Sequence, residues 1–445
     1  MLWLALRFAS LPLEVYSRAA PGAQPLAVIA SIGTHAQVIA CNETAQARGI
    51  KPGISPNAAL ALASDLRLLP RHLAAEQGAL ERIAAWAIQF TPAVSIAAPD
   101  EVLLEIAGSL HLFGGLQPLW RELTQGLQAL GYAATLACAP TPLAALWSAR
   151  AGLAVRLRHV DALRASLSNL PIEVTRGAPE ALALLHNIGA KTVRDILALP
   201  RDGLARRLGQ ALLDDLDRAL GKLPDPRNFF TPPTAFKAEQ PLPAPAHEAH
   251  MLLFAARGLI RELCGYLAAT TRGAQTLCFT FQHHRHEPTR FTLTLVRATR
   301  DADHLTNVLR ERLERTALPS PATAITLTSE LLLPLASHTL SLLPDAGQHE
   351  EAATQLIERL RARLGDKAVL GLKPYADHRP EYAWRTCEPG NPNTNAAVAT
   401  SRPLWLLARP RALTETAEAP YYEGRLRLLA GPERIESGWW DGHDV

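Results

Sequence analysis

Pro99-Asp-Glu-Val-Leu-Leu-Glu-Ile-Ala-Gly-Ser-Leu-His-Leu-Phe-Gly114 joins a proline and two adjacent acids to an aliphatic run and a glycine-bounded turn. The aliphatic run predicts a strand over Glu101 to Ala107, closed by the turn from Gly108 to Gly115. Taken alone, Asp100 and Glu101 read in two ways. Acids that follow a proline at the mouth of a strand suit a solvated turn. The same pair suits phosphoryl transfer by two metal ions, which needs carboxylates from separate strands converging on ions about 4 Å apart. The ions then clamp the attacking oxygen, the leaving oxygen and the transferred phosphoryl together. This stretch supplies only part of such a site.

The surrounding chain has 445 residues, of which 48% are hydrophobic and 20% charged, a composition that fits several globular domains and excludes a disordered chain. The net charge is +3 and the pI about 8.6, so a nucleic-acid surface has to come from local patches. Cys41, Cys138, Cys264, Cys278 and Cys387 form no C-x-x-C pair, which argues against a zinc module and a disulfide framework and fits a reducing cytoplasm. The apolar run Leu2 to Leu13 is interrupted by Arg7, closely followed by Glu14 and preceded by no basic segment, unlike a secretion signal. No apolar stretch approaches the roughly 20 residues needed to span a bilayer.

Outward from the quoted stretch, residues 1–158 alternate short apolar runs with Ala/Leu-rich helical patterns, an α/β layer. Strands are expected at Leu2 to Phe8, Leu26 to Ile32, Gln37 to Cys41, Glu101 to Ala107 and Ala133 to Cys138. Helices are expected at Pro56 to Ala63, Ala74 to Phe90 and Gln117 to Leu130. Residues 159–225 read as a small helical domain, and the proline-dense residues 226–245 as an extended linker. In 246–345 a helix at Ala249 to Ala268 precedes period-two strands at Gln275 to Phe281 and Arg290 to Val296. A helix at Ala302 to Arg315 and a strand at Ala322 to Leu333 complete a small α+β domain. Residues 346–445 hold one more helix, Glu350 to Leu364, and loops rich in Pro and Asn.

The segment around Asp100-Glu101 resembles the acidic palm strand of Y-family DNA polymerases. In that family a first-strand aspartate joins the adjacent acids in holding two metal ions. Counting back from Glu14, which matches the glutamate closing the family's first motif, puts Ala5 where that aspartate belongs. Glu14 and Glu105 are the nearest candidates to substitute, and neither obviously fills the gap. The stretch Cys41-Asn-Glu-Thr-Ala-Gln-Ala-Arg-Gly-Ile-Lys-Pro-Gly-Ile54 resembles the fingers motif. Aligned on Asn42 and Gly49, Glu43 replaces a tyrosine and Gln46 an arginine that contact the nucleotide triphosphate, and a carboxylate there repels polyphosphate. Ala139 to Arg150 resembles the region of a phosphate-binding lysine, yet no lysine lies between Lys51 and Lys191.

Altered chemistry within a kept framework is similar to the ImuB-type members of the family. Four segments carry that likeness most specifically: Arg359-Leu-Arg-Ala-Arg-Leu-Gly, His378-Arg-Pro-Glu, Arg402-Pro-Leu-Trp-Leu-Leu and Gly431-Pro-Glu-Arg-Ile-Glu-Ser-Gly-Trp-Trp. The resemblance implies a right hand with palm and fingers in 1–158 (fingers about 11–72), a helical thumb, a β-rich little finger and a C-terminal partner-binding extension. It also implies no resident cofactor, with Mg²⁺ expected only if Asp100 and Glu101 still bind it. Its implied role is a hub for a sliding clamp, an error-prone C-family polymerase and a RecA-like accessory protein.

Three further segments bear on binding. Leu184 to Leu197 resembles a helix-hairpin-helix whose turn, Asn187-Ile-Gly189, would let backbone N–H groups meet a DNA phosphate beside Lys191 and Thr192. Arg272, Arg285, Arg290 and Arg297 lie on or beside the two period-two strands, where they suit a phosphate backbone. The nearby His283-His-Arg-His286 run reads as a solvated hairpin rather than a metal site. Thr339-Leu-Ser-Leu-Leu343 offers Leu340, Leu342 and Leu343 to a clamp pocket but lacks the motif's glutamine and aromatic. The expected function is thus a non-catalytic scaffold that binds primer-template DNA. The rivals are an active metal-dependent translesion polymerase and a binding module unrelated to DNA.

Overall fold

The computed structural model of the protein describes residues 1–19, 24–33, 35–335, 346–375, 383–389, 412–416 and 419–427. They fall in two compact units, Met1–Leu342 and Leu343–Val445. The first opens with β1 (Trp3–Arg7) and α1 (Leu11–Ser17). A small separate sheet follows, with β2 (Leu26–Ile32), β3 (His35–Cys41), α2 (Glu43–Ala47), α3 (Pro56–Leu62) and β4 (Arg67–Pro70). The chain then runs through α4 (Leu73–Ala87), β5 (Val94–Ala97), β6 (Glu101–Glu105), α5 (Leu116–Leu130), β7 (Thr135–Ala139) and α6 (Pro142–Arg150). These complete an antiparallel sheet in the order β5-β6-β1-β7, in the region expected to form the palm.

Both faces of that sheet are covered, which explains why β1 is a nearly unbroken apolar run rather than an alternating one. Leu2, Leu4, Leu6 and Phe8 pack with the apolar stripes of α4 and α5. Trp3, Ala5 and Leu103 face the other way, into a core shared with α6 and the helical domain that follows. That domain consists of α7 (Leu163–Ser168), α8 (Pro179–Asn187), α9 (Val193–Ala198), α10 (Arg201–Leu208) and α11 (Gln210–Ala219).

Next come β8 (Phe236–Ala246), α12 (Ala249–Ala269), β9 (Arg272–His283), β10 (Thr289–Thr299), α13 (Ala302–Leu313), β11 (Ala322–Ser329) and β12 (Leu332–Pro334). Four strands pair in the order β10-β9-β11-β8, and β12 adds to β9. The linker expected over 226–245 is corrected here, because its second half is β8. Pro241, Pro243 and Pro245 are tolerated because β8, among the described residues, is an edge strand paired with β11, and an edge asks for fewer backbone donors. The first half also touches the palm: Phe229 stacks on Trp3 with ring centroids 6.4 Å apart, and Phe230 N–H donates to Val94 C=O at 2.7 Å.

The β-rich part is bolted to the palm through α12. Its Glu262 carboxylate lies 2.7 Å from Arg18 Nη2 and 2.6 Å from Arg82 Nε. Tyr132 Oη donates to it at 3.2 Å. Burial pushes the Glu262 carboxyl up, but the guanidiniums of Arg18 and Arg82 outweigh it and hold the group below its ordinary value. Beside this cluster the Trp86 indole fills the space between Gly126 of α5 and Gly265 of α12, where a Cβ at either glycine would lie 2.3 Å from the ring.

The second unit holds α14 (Ala346–Leu364) and the hairpins β13 (Gly371–Pro374) with β14 (Trp384–Cys387) and β15 (Thr414–Thr416) with β16 (Ala419–Tyr421). Arg361 of α14 reaches Glu388 at 2.6 Å. Leu340, Leu342 and Leu343, with the segments at His378, Arg402 and Gly431, lie outside the described residues.

Replacing Glu262 with alanine leaves Arg18 and Arg82 buried without their counter-ion. We expect a loss of about 3–5 kcal/mol, read as a lower urea midpoint for the full chain; an unchanged midpoint would show that the cluster is not a structural clasp.

Candidate functional site

The acidic pair lies at the start of β6, where the register sets Glu101 opposite Arg7 of β1, and Ala5 opposite Leu103. Residues directly opposite share a face, so Glu101 points into the interior between palm and helical domain and its side chain is 0% exposed. Arg150, the last residue of α6, meets it as a fork, with Nε to Oε1 and Nη2 to Oε2 both at 2.7 Å. Arg176 Nη1 adds a third contact to Oε2 at 3.3 Å and Arg176 Nη2 bonds Asp100 Oδ1 at 2.5 Å. Arg7 Nε stands 3.6 Å from Asp100 Oδ2. Three guanidiniums therefore surround two carboxylates.

The guanidiniums are themselves held in place. Arg7 Nη1 donates to Arg150 C=O at 2.6 Å and Arg150 Nη1 to Val174 C=O at 2.8 Å, tying β1, α6 and the helical domain together. Arg176 sits at φ 50°, ψ 34°, a left-handed conformation that costs a non-glycine residue about 1–2 kcal/mol. Its two ion pairs offset that strain.

These donors do not fit a pair of divalent cations. Hard cations need several convergent oxygens, but the position of the first-strand aspartate is the buried methyl of Ala5. Glu14 and Glu105 do not complete the set. Glu14 accepts from Ala133 N–H at 3.0 Å, and Glu105 accepts from Leu2 N–H at 2.9 Å and Ala107 N–H at 3.3 Å at the far end of the strand. No group of three or more His, Cys, Asp or Glu side chains is placed to hold a metal among the described residues.

In the small sheet Asn42 caps α2, accepting from Ala45 N–H and Leu26 N–H at 3.0 Å each. Gln46 donates to Cys41 C=O at 3.1 Å, and Glu43 is exposed in the first turn of α2. The arrangement matches no nucleotide-gripping pair of tyrosine and arginine.

Across 412 aligned residues, 88% of this chain and 89% of the relative, the sequence is 32% identical to Protein ImuB of Caulobacter vibrioides strain NA1000 / CB15N. The chain belongs to the ImuB family. Residues 16–150 match the impB/mucB/samB family. Among solved structures it is similar to a post-insertion binary complex of Dbh DNA polymerase, at 17% identity and TM-score 0.42, covering 75% of this chain and 99% of that one. DinB from Sulfolobus solfataricus is similar at 17% identity and TM-score 0.42, covering 76% and 100%. The fold class is a Y-family polymerase-like hand with a C-terminal extension, as membership of this family implies.

Two expected DNA-binding sites look different within this ImuB-family fold. The helix-hairpin-helix turn forms, with Asn187 ending α8 and Gly189 at φ 83°. Its backbone donors, however, are already taken. Lys191 N–H and Thr192 N–H donate to Asp195 Oδ2 at 3.0 and 2.9 Å, Gly189 N–H to His186 C=O and Ala190 N–H to Leu185 C=O. Asp195 forms a capping box with Thr192 at the start of α9, and those hydrogen bonds hold its carboxyl below the ordinary range.

The arginines of the β-rich sheet divide between its ends. Arg285 lies in the β9–β10 hairpin and Arg290, exposed, sits opposite Thr280. Arg272 pairs with Pro334 at the other end, where Arg297 lies within the register shift of β10 between Thr294 and Thr299. Between them Thr276, Thr280, Thr292 and Thr294 share the face turned away from Phe279 and Phe291. His283 is engaged within the hairpin region, its ring nitrogens 2.9 Å from Thr289 Oγ1 and 3.3 Å from Pro321 C=O.

Sequence reading missed Arg7, Arg150 and Arg176 as partners of the acids. Arg150 ends the segment Ala139 to Arg150, and cross-strand register could have singled out Arg7. Arg176 carries no local signal.

Two outcomes follow from this geometry. Arg150→Ala strips the fork from a fully buried carboxylate and should cost about 3–5 kcal/mol, measured by urea unfolding. Burial pushes the Glu14 carboxyl up to about 7 from 4.5, more than the Ala133 hydrogen bond and Arg18 pull it down. Between those values the folded chain keeps a proton that the unfolded chain has released. Stability from this group is therefore full below pH 4.5 and lost as pH rises towards 7, by about 3 kcal/mol. Glu14→Gln should match the wild type in acid, exceed it at pH 8, and flatten that part of the stability–pH profile.

Proposed function

We propose that this ImuB-family chain is a non-catalytic polymerase-like scaffold that binds primer-template DNA and brings an error-prone polymerase to damaged sites. The observation that carries the reading is the closure of Asp100 and Glu101 under Arg7, Arg150 and Arg176. In a two-metal site, cations from solvent neutralise the acids and activate the reacting oxygens. Here the neutralising charges are covalently part of the chain and leave Glu101 no free oxygen. Ala5, Glu43 and Gln46 support the same reading at the metal and nucleotide positions.

DNA contact is proposed for the threonine- and arginine-bearing face of the β-rich sheet, with Arg285 and Arg290 meeting phosphates and threonine hydroxyls adding hydrogen bonds. Such contact carries no sequence information and weakens with salt. The family resemblance supplies the proposed setting: the cytoplasm, the damage-induced (SOS) response, and assembly with a sliding clamp, a C-family polymerase and a RecA-like accessory protein. No helix among the described residues is long and apolar enough to cross a membrane.

The retained acids favour one rival, an active polymerase using Asp100 and Glu101. Primer extension with Mg²⁺ or Mn²⁺, run beside a salt titration of primer-template binding, separates the two. We expect salt-sensitive binding without extension, for the wild type and for Ala5→Asp alike, since one added acid leaves three guanidiniums in place. Extension by the wild type that Asp100→Ala abolishes would make the chain an enzyme and end the scaffold proposal.

A further inference from the structure

We propose that the thumb docks an amphipathic helix from a partner protein, bearing an acid beside its apolar stripe, in the groove between α8 and α10. The groove has a volume of about 250 Å³ and is lined by Leu184, Leu185, Ile188, Leu199, Leu204 and Arg207 among others. Leu185 is fully buried and Leu204 nearly so, forming its floor, while Leu184 is 46% and Ile188 57% exposed at its edge. Leu184 and Ile188 are four residues apart at the end of α8, so they stand on one side of the helix. Two large aliphatic side chains beside an apolar groove form the kind of surface that receives a helix through spaced apolar anchors.

Charge decides between occupants. Arg207 is the one charged residue among those lining the groove. With Arg206 it forms the basic last turn of α10, and neither makes an ion pair among the described residues. The single-sign rim favours an acid on the incoming helix. DNA, the other anionic occupant, fits poorly, because the adjoining hairpin has its N–H groups bonded to Asp195, whose carboxylate repels phosphate. The site is separate from the arginine-closed acids and does not depend on the scaffold proposal.

The test uses the full chain and a fluorescein-labelled helical peptide of about 18 residues, with leucines at i, i+4 and i+7 and glutamates flanking them, beside a version with lysines for glutamates. Fluorescence anisotropy should show the glutamate peptide binding more tightly than the lysine peptide. Ile188→Ser should weaken it at least about tenfold, as loss of one anchor, and Arg207→Glu should reverse the preference. Both positions lie outside the core, and urea midpoints check that the variants fold. Failure of the glutamate peptide to bind, or binding indifferent to both variants, overturns the proposal. So does self-association by sedimentation that Ile188→Ser removes, which assigns the groove to a second copy, or a matching loss of primer-template affinity, which assigns it to DNA.

Discussion

The fork between Arg150 and Glu101 is the contact on which the rest of this chain's chemistry depends. A carboxylate buried between sheet and thumb has to be neutralised, since transfer of a bare charge from water to such a site is costly. This chain meets that demand with guanidiniums, which make the contact a joint between elements. Arg150 reaches the strand from the end of α6 and also bonds Val174 C=O, so the contact that closes the acids fastens the thumb to the palm.

A second charged joint fixes the β-rich part. Glu262 is held by Arg18 and Arg82 while Trp86 lies between two glycines. The two joints follow one rule, in which each buried carboxylate is matched by more than one guanidinium and each guanidinium comes from a different element. Steric fit adds to the second, because the indole leaves no room for a Cβ on either helix. Charge supplies attraction there, and shape confines α12 to one placement.

Much of the fold could be read directly. Both β-rich strands, the palm strands β1 and β6 and helices α4, α5, α12 and α13 follow from apolar period and length, and the observed bounds lie close to those expected. The errors have local causes. Prolines in Phe236–Ala246 suggested a linker because a sequence does not say which strand will stand at an edge. The hairpin turn was legible in Asn187 and Gly189, whereas the capping of α9 by Asp195, which engages the Lys191 and Thr192 N–H groups, depends on side-chain geometry. Helix α6 begins with a Thr141 cap and Pro142, a start signal present in the sequence.

From the sequence by itself came the polymerase-like framework, the retained pair Asp100 and Glu101 and the loss of an acid at Ala5, all of which rest on residue identity at fixed spacing. What became of the retained pair was decided only by the tertiary structure. Arg7, Arg150 and Arg176 lie 94, 49 and 75 residues from Glu101 along the chain and meet the acidic pair only after strand pairing and helix packing. Electrostatic energy depends on distance in space and on exclusion of water, and neither quantity is written in the order of residues.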